Sequence, residues 1–223
     1  MSQKKLFIWD FHGVLEKGND KVFYDLLKDC SQRFGLNQDF TFDEMMQVYG
    51  MKIFDIVHWF NPELEENYFR SNILPYLKEN TFKYAKKNIQ AQDSSEKVLS
   101  EIIERGHQNI VVSNASQEVI EKFVSLVRLE NYFQQIIGVG GFKYSGNGEF
   151  SKADAVRKNF DLGLFEKTIF IGDHPSDMKA GRELGSTTYL FSKRIEECEN
   201  ADYIIQDLNV IITRELGTVH DKQ

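Results

Sequence analysis

The sequence predicts an α/β fold, a doubly wound and mostly parallel sheet with an all-helical block inserted into it. Three observations lead there. Short apolar runs rich in β-branched and aromatic residues recur at Leu6–Trp9, Ile110–Val112, Ile136–Val139, Thr168–Ile171, Thr188–Phe191 and Tyr203–Ile205. They are continuous rather than alternating, the pattern of parallel strands covered on both faces. Amphipathic helical segments separate the later runs, and a long stretch without strand character separates the first run from the second.

Taken in order, the first run enters the stretch "DFHGVLEKG" directly, so a buried strand is expected to end on Asp10. Residues 17–92 then read as helical. "DKVFYDLLKDCSQRFG" is amphipathic, "TFDE" is a capping box with Thr41 at the cap and Glu44 three residues on, and Pro62 suits the first turn of a helix through "PELEENYFRSNIL". Structureless loops beyond roughly 15 residues are rare in compact domains, so this block is a helical insertion. Its aromatic residues Phe54, Trp59, Phe60, Tyr68, Phe69, Tyr76, Phe82 and Tyr84 are expected in its core. "SSEKVLSEIIERG" carries Val98, Leu99, Ile102 and Ile103 at helical spacing and stops at Gly106. "SQEVIEKFVSLV" and "SDMKAGRELG" follow the same pattern. The expected division is a core domain of residues 1–16 and 93–223 and a helical domain of residues 17–92.

Bulk composition narrows the function. The 223 residues are 41 % hydrophobic and 27 % charged with a net charge of −7, ordinary for a soluble globular protein. An acidic chain is a poor general binder of nucleic acid, which depends on Lys and Arg neutralising phosphates. A small anionic substrate held by a local cation stays open. Cys30 and Cys198 form no CxxC and no metal-ligand spacing, and read as thiols in a reducing compartment. The basic N-terminus carries too short an apolar run for a signal peptide or a spanning helix, so no membrane partner and a cytoplasmic location are expected.

In an open α/β sheet, ligands bind outside the carboxyl ends of the strands. There the sequence places Asp10 and His12 after the first run, Ser113 and Asn114 after the second, and Asp173 and Asp177 in "GDHPSD"; Lys152 heads a helical stretch in "GEFSKADAVRK". Carboxylates brought together repel unless a proton or cation intervenes. An all-oxygen site of this kind suits Mg²⁺, which accepts phosphate oxygens as further ligands.

The ordered motifs "DFHGVL", "VVSNAS", a lysine and "GDHPSDMKAG" resemble the haloacid dehalogenase-like (HAD) hydrolase superfamily. The resemblance covers roughly residues 5–15 and 94–195, and is to the phosphoglycolate phosphatase and β-phosphoglucomutase-like branch. It implies a HAD-like Rossmannoid core in which the helical insert is an α-helical C1-type cap. It further implies a Mg²⁺-dependent phosphatase acting on a small phosphorylated metabolite through an aspartyl-phosphate. Asp10 would be the nucleophile. Ser113 and Asn114 would bind phosphate, with a helix cap at Ser113 and a turn role at Asn114 as the plainer readings. Lys152 would neutralise the phosphate and Asp10, with Lys143 as rival. Mg²⁺ would sit on Asp10, the His12 backbone carbonyl and Asp173. Asp177 would be secondary, acting through a water, holding Lys152 or capping the helix that follows.

One position departs from the family. Its phosphatases carry a second aspartate two residues after the nucleophile, where this chain has His12. The carbonyl ligand survives that change; the proton-transfer role is what it alters. An imidazole can serve as an acid–base group, or only shape the pocket. Two other functions stay open: metal-independent dehalogenation of a 2-haloacid, and phospho-ligand binding by a catalytically weak protein. His58 and Arg70 are the candidates in the insert for touching substrate, with a plain surface role equally open.

Overall fold

In the computed structural model, residues 4–49, 51, 53–140 and 151–217 are described. Two compact units emerge, Met1–Lys17 with Gln90–Gln223, and Gly18–Ile89.

The first unit holds a parallel sheet of six strands in the order β5-β4-β1-β6-β7-β8. They are β1 (Lys5–Trp9), β4 (Gln108–Ser113), β5 (Gln135–Gly138), β6 (Lys167–Gly172), β7 (Thr187–Phe191) and β8 (Tyr203–Ile205). All five adjacent pairs are parallel. The helices linking them are α6 (Ser95–Glu104), α7 (Gln117–Leu126), α8 (Lys152–Asn159) and α9 (Pro175–Glu183), with a short α10 (Asn209–Ile211) after the last strand. Leu6 to Trp9, Ile110 to Val112 and Ile169 to Ile171 are fully buried, which is why these runs do not alternate. Gly106, at φ +83°, ends α6 with its N–H on the Ile103 carbonyl at 2.8 Å and that of His107 on Ile102 at 3.0 Å.

A two-stranded ribbon, β2 (Glu16–Lys17) paired antiparallel with β3 (Gln90–Ala91), was not legible in the sequence. Two residues per strand are too few to show a period.

The second unit is helical: α1 (Asn19–Phe34), α2 (Phe42–Val48), α3 (Ile53–Phe60) and α4 (Glu66–Tyr68), which continues through a π-turn at Phe69–Ile73 into α5 (Leu74–Asn88). The box at α2 forms as expected, with Glu44 N donating to Thr41 Oγ1 at 3.2 Å and Thr41 N to Glu44 Oε2 at 2.7 Å. Its core packs Leu26, Leu27, Cys30, Met45, Val57, Phe69 and Ile73. Two sequence expectations fail here. Pro62 does not open a helix, because Leu64 N donates to the Asn61 carbonyl at 3.0 Å and closes a turn around it; the helix starts at Glu66. Trp59 and Tyr68 face outward at 61 % and 45 % exposure rather than joining the core.

Among the described residues, no helix is long and apolar enough to cross a membrane. Cys30 and Cys198 are free thiols, and burial pushes the Cys30 thiol up to about 11, leaving it inert as a nucleophile.

One buried polar knot ties the sheet to its helices. Trp9 Nε1 donates to Asn109 Oδ1 at 3.0 Å, and Asn109 Nδ2 donates to the carbonyls of Leu99 at 3.1 Å and Tyr132 at 3.3 Å. Asn109→Leu keeps the volume but orphans these partners, and is expected to lower stability by about 3 kcal/mol in urea unfolding. Adding Trp9→Phe removes the orphaned N–H and should recover part of that loss, which a double-mutant cycle measures.

Candidate active site

The sheet register brings the candidate residues to one edge. Trp9 lies opposite Val111 on one side and Ile171 on the other. Asp10 N extends the ladder, donating to the Ile171 carbonyl at 2.8 Å. Asp10, Ser113 and Asp173 therefore leave the carboxyl ends of β1, β4 and β6 at nearly the same height. β1 is also where the strand order reverses: the chain adds β4 and β5 on one side of it, then β6, β7 and β8 on the other. That switch point is the usual ligand position in such sheets.

Lys152 is the centre of the site. Its Nζ lies 2.5 Å from Asp10 Oδ1 and 2.6 Å from Asp177 Oδ1, and all three side chains are buried. It sits in the first turn of α8, where the helix dipole disfavours a cation. The helix start is secured separately by a box between Ser151 and Asp154, with Asp154 N donating to Ser151 Oγ at 3.1 Å and Ser151 N to Asp154 Oδ2 at 3.0 Å. The motif "SKAD" carries that signal in the sequence. Burial works to lower the Lys152 pKa, but the facing carboxylates of Asp10 and Asp177 outweigh it and the net shift is upward.

Asp177 does two jobs. Oδ1 holds Lys152, and Oδ2 accepts from the His174 N–H at 3.2 Å, which caps α9. Lysine holding and helix capping, alternatives in the sequence, are one arrangement.

The third carboxylate is the unbalanced one. One oxygen from each of Asp10, Asp173 and Asp177 lies within 4.8 Å of the others. Burial, then the charges of Asp10 and Asp177, push Asp173 up to about 8, with Lys152 only partly offsetting them. Burial likewise raises Asp10 against the pull of Lys152. Among the described residues the edge thus carries three acids, two of them buried, for one buried ammonium, an all-oxygen set short of positive charge. Gly13 fits closely beside it: its φ is +78°, and a Cβ there would lie 2.2 Å from Asp173 Oδ2.

Ser113 Oγ accepts from the Ala115 N–H at 3.2 Å, so its own proton remains available to a ligand. It does not cap the next helix, whose cap position is Ser116. Asn114 follows the strand in an exposed bend. His12 lies on the turn after β1, its ring edge-on to Phe11 at 5.3 Å and to Phe123 at 4.9 Å between centroids. Its Nδ1 is 3.0 Å from Oε1 of Glu16, a fully buried carboxylate that sequence reasoning did not single out. The only signal was a spacing of four, which is ordinarily read on helices. Within the helical unit, His58 Nδ1 lies 3.3 Å from the Leu64 carbonyl, and exposed Arg70 pairs with Glu66 at 2.5 Å. Lys143 lies outside the described residues.

Several solved structures share this architecture at low sequence identity. A predicted phosphatase from Clostridium acetobutylicum superposes with a TM-score of 0.76 at 16 % identity, covering 97 % of this chain and 100 % of that one. A predicted phosphoglycolate phosphatase from Haemophilus somnus gives 0.74 at 18 %, with 96 % and 98 % covered. A haloacid dehalogenase-like family protein from Streptococcus pneumoniae gives 0.73 at 15 %, with 96 % and 99 % covered. No curated protein matches the sequence. The family model for haloacid dehalogenase-like hydrolases matches residues 7–191, from β1 through β7, and with that span covered the chain belongs to this family.

Proposed function

We propose that the chain is a Mg²⁺-dependent phosphatase that hydrolyses a small phosphomonoester through an aspartyl-phosphate on Asp10. The observation that carries this reading is the charge deficit: among the described residues, three close carboxylates, two of them buried, face one lysine, with Asp173 pushed up to about 8. An oxygen-ligated dication corrects that deficit, and Mg²⁺ is the usual one shared with phosphate. Asp10, the His12 carbonyl and Asp173 would hold it; Asp177, with Oδ1 on Lys152 and Oδ2 on the His174 N–H, is secondary. When bound, it would neutralise charge on the phosphoryl oxygens. A dehalogenase attacks carbon and has no use for the third carboxylate. The phosphatase names carried by the structural neighbours agree with this reading.

Lys152 orients the Asp10 carboxylate and opposes charge on the phosphoryl group. A carboxylate oxygen of Asp10 bonds to phosphorus as the bond to the leaving oxygen breaks. The proton that oxygen needs comes from His12 Nε2. His12 then takes a proton from water, whose oxygen attacks phosphorus and frees Asp10 with inorganic phosphate. The Ser113 hydroxyl and the Asn114 amide donate to non-bridging phosphate oxygens. The Gly18–Ile89 unit is read as the substrate-selecting cap.

A screen of phosphorylated metabolites, with Mg²⁺ and with EDTA, tests the function. Turnover is expected with the metal and none with the chelator; release of chloride from 2-chloropropionate in EDTA would overturn the reading. Asp10→Asn is expected to drop turnover to background with an unchanged circular dichroism spectrum, because an amide of the same shape is a poor nucleophile.

Metal binding and pH are linked. In the metal-free fold Asp173 keeps its proton up to about pH 8, whereas the unfolded carboxyl releases it near 3.8. Folding therefore takes up a proton between those limits, and metal-free stability falls as pH rises through them. Mg²⁺ should raise the melting temperature more at pH 8 than at pH 5. Asp173→Asn should melt higher than wild type without metal at pH 8 and show no Mg²⁺ binding in titration calorimetry. Wild-type affinity in that variant would remove the metal assignment.

A further inference from the structure

We infer that Glu16 is the positioning residue for His12, holding the imidazole in its Nδ1–H tautomer so that Nε2 is the nitrogen left to exchange protons. The inference rests on the reading of His12 as the acid–base group.

Glu16 is fully buried, an expensive place for a carboxylate. Oε1 faces His12 Nδ1 at 3.0 Å and accepts the Gly13 N–H at 3.2 Å, while Oε2 is buried with no hydrogen-bond partner among the described residues. A side chain retained there for stability would have both oxygens satisfied, or would be an apolar residue of similar volume. The backbone is folded to make the contact: the Phe11 carbonyl accepts from the N–H groups of Val14, Leu15 and Glu16 at 3.3, 3.0 and 3.3 Å. That turn, opened by Gly13 at φ +78°, carries Glu16 back to His12.

The chemistry assigns the tautomer. Oε1 already acts as an acceptor for the Gly13 N–H, so the nitrogen facing the same oxygen is assigned the hydrogen. A neutral imidazole has a single N–H; placing it on Nδ1 leaves the lone pair on Nε2, which has no hydrogen-bond partner among the described residues. Phe11 and Phe123, both edge-on to the ring, restrict its plane. A carboxylate that orients an imidazole through Nδ1 while Nε2 handles the proton is a known solution in other enzymes. Here it would let a histidine do the acid–base work.

The test is long-range ¹H–¹⁵N correlation of histidine-labelled full-length protein without metal, at a pH where the imidazole is neutral, with His12 assigned from the spectrum of His12→Ala. Wild type should show the Nδ1–H form, the minor tautomer of free histidine. Glu16→Met should revert His12 to the Nε2–H form, and Glu16→Gln, able both to donate and to accept, should give a mixture. Glu16→Met leaves the Gly13 N–H without its side-chain acceptor, so a modest drop in melting temperature is compatible with the role and kcat is the deciding readout. With Mg²⁺, kcat on an alkyl phosphate should fall by up to about 10²-fold in Glu16→Met with KM unchanged, the scale of loss expected for a misplaced group. The loss should be smaller on p-nitrophenyl phosphate, whose leaving group needs little protonation. A wild-type Nε2–H tautomer, or a tautomer unmoved by either substitution, overturns the assignment. A lower melting temperature with full kcat in Glu16→Met makes Glu16 structural and also overturns it. Full activity of His12→Ala with an Nδ1–H wild-type signal refutes the acid–base reading itself, and the positioning role with it.

Discussion

Lys152 is buried between Asp10 and Asp177, and this ion pair orders the rest of the site. Each partner comes from a different element: the end of β1, the first turn of α8 and the first turn of α9. A buried charge is tolerated only where its partners are close and well oriented. The three elements must therefore end where they do. Local preference opposes the arrangement, since a lysine gains nothing from a helix N-terminus. Conflicts of that kind between local and global preference tend to mark function.

The same edge is overloaded with negative charge. Among the described residues Asp173 has no cation paired with it, and Gly13 leaves no room for a side chain beside it. Close acids repel one another in the metal-free chain. The dication and phosphoryl group proposed above would complement them. Stability given up there is recovered elsewhere in the same unit, in the fully buried strands and the Trp9–Asn109 knot.

The turn after β1 sets much of the geometry of this edge. It ends the strand on Asp10, aims the His12 ring and tucks Glu16 beneath it. With Glu16 beneath it, the His12 ring is held in place, and the same turn sets it beside Asp10.

How much of this was legible follows from what kind of interaction carried each feature. Six buried runs predicted six parallel strands, because burial on both faces writes itself as continuous apolar sequence. Asp10, Ser113, Lys152, Asp173 and Asp177 were found because each lies at a strand end or a helix start, positions that sequence pattern locates. Other features depend on partners distant in sequence or on turn geometry. Asp177 holding a lysine 25 residues away, the two-residue ribbon of β2 and β3, and the turn that keeps Pro62 out of a helix all needed tertiary contacts. Glu16 is the clearest case. By itself "LEKG" reads as a surface charge near a turn. Only the folding of that turn around the Phe11 carbonyl buries the carboxylate and sets it against His12, because a hydrogen bond of 3.0 Å is decided by backbone path and not by spacing along the chain.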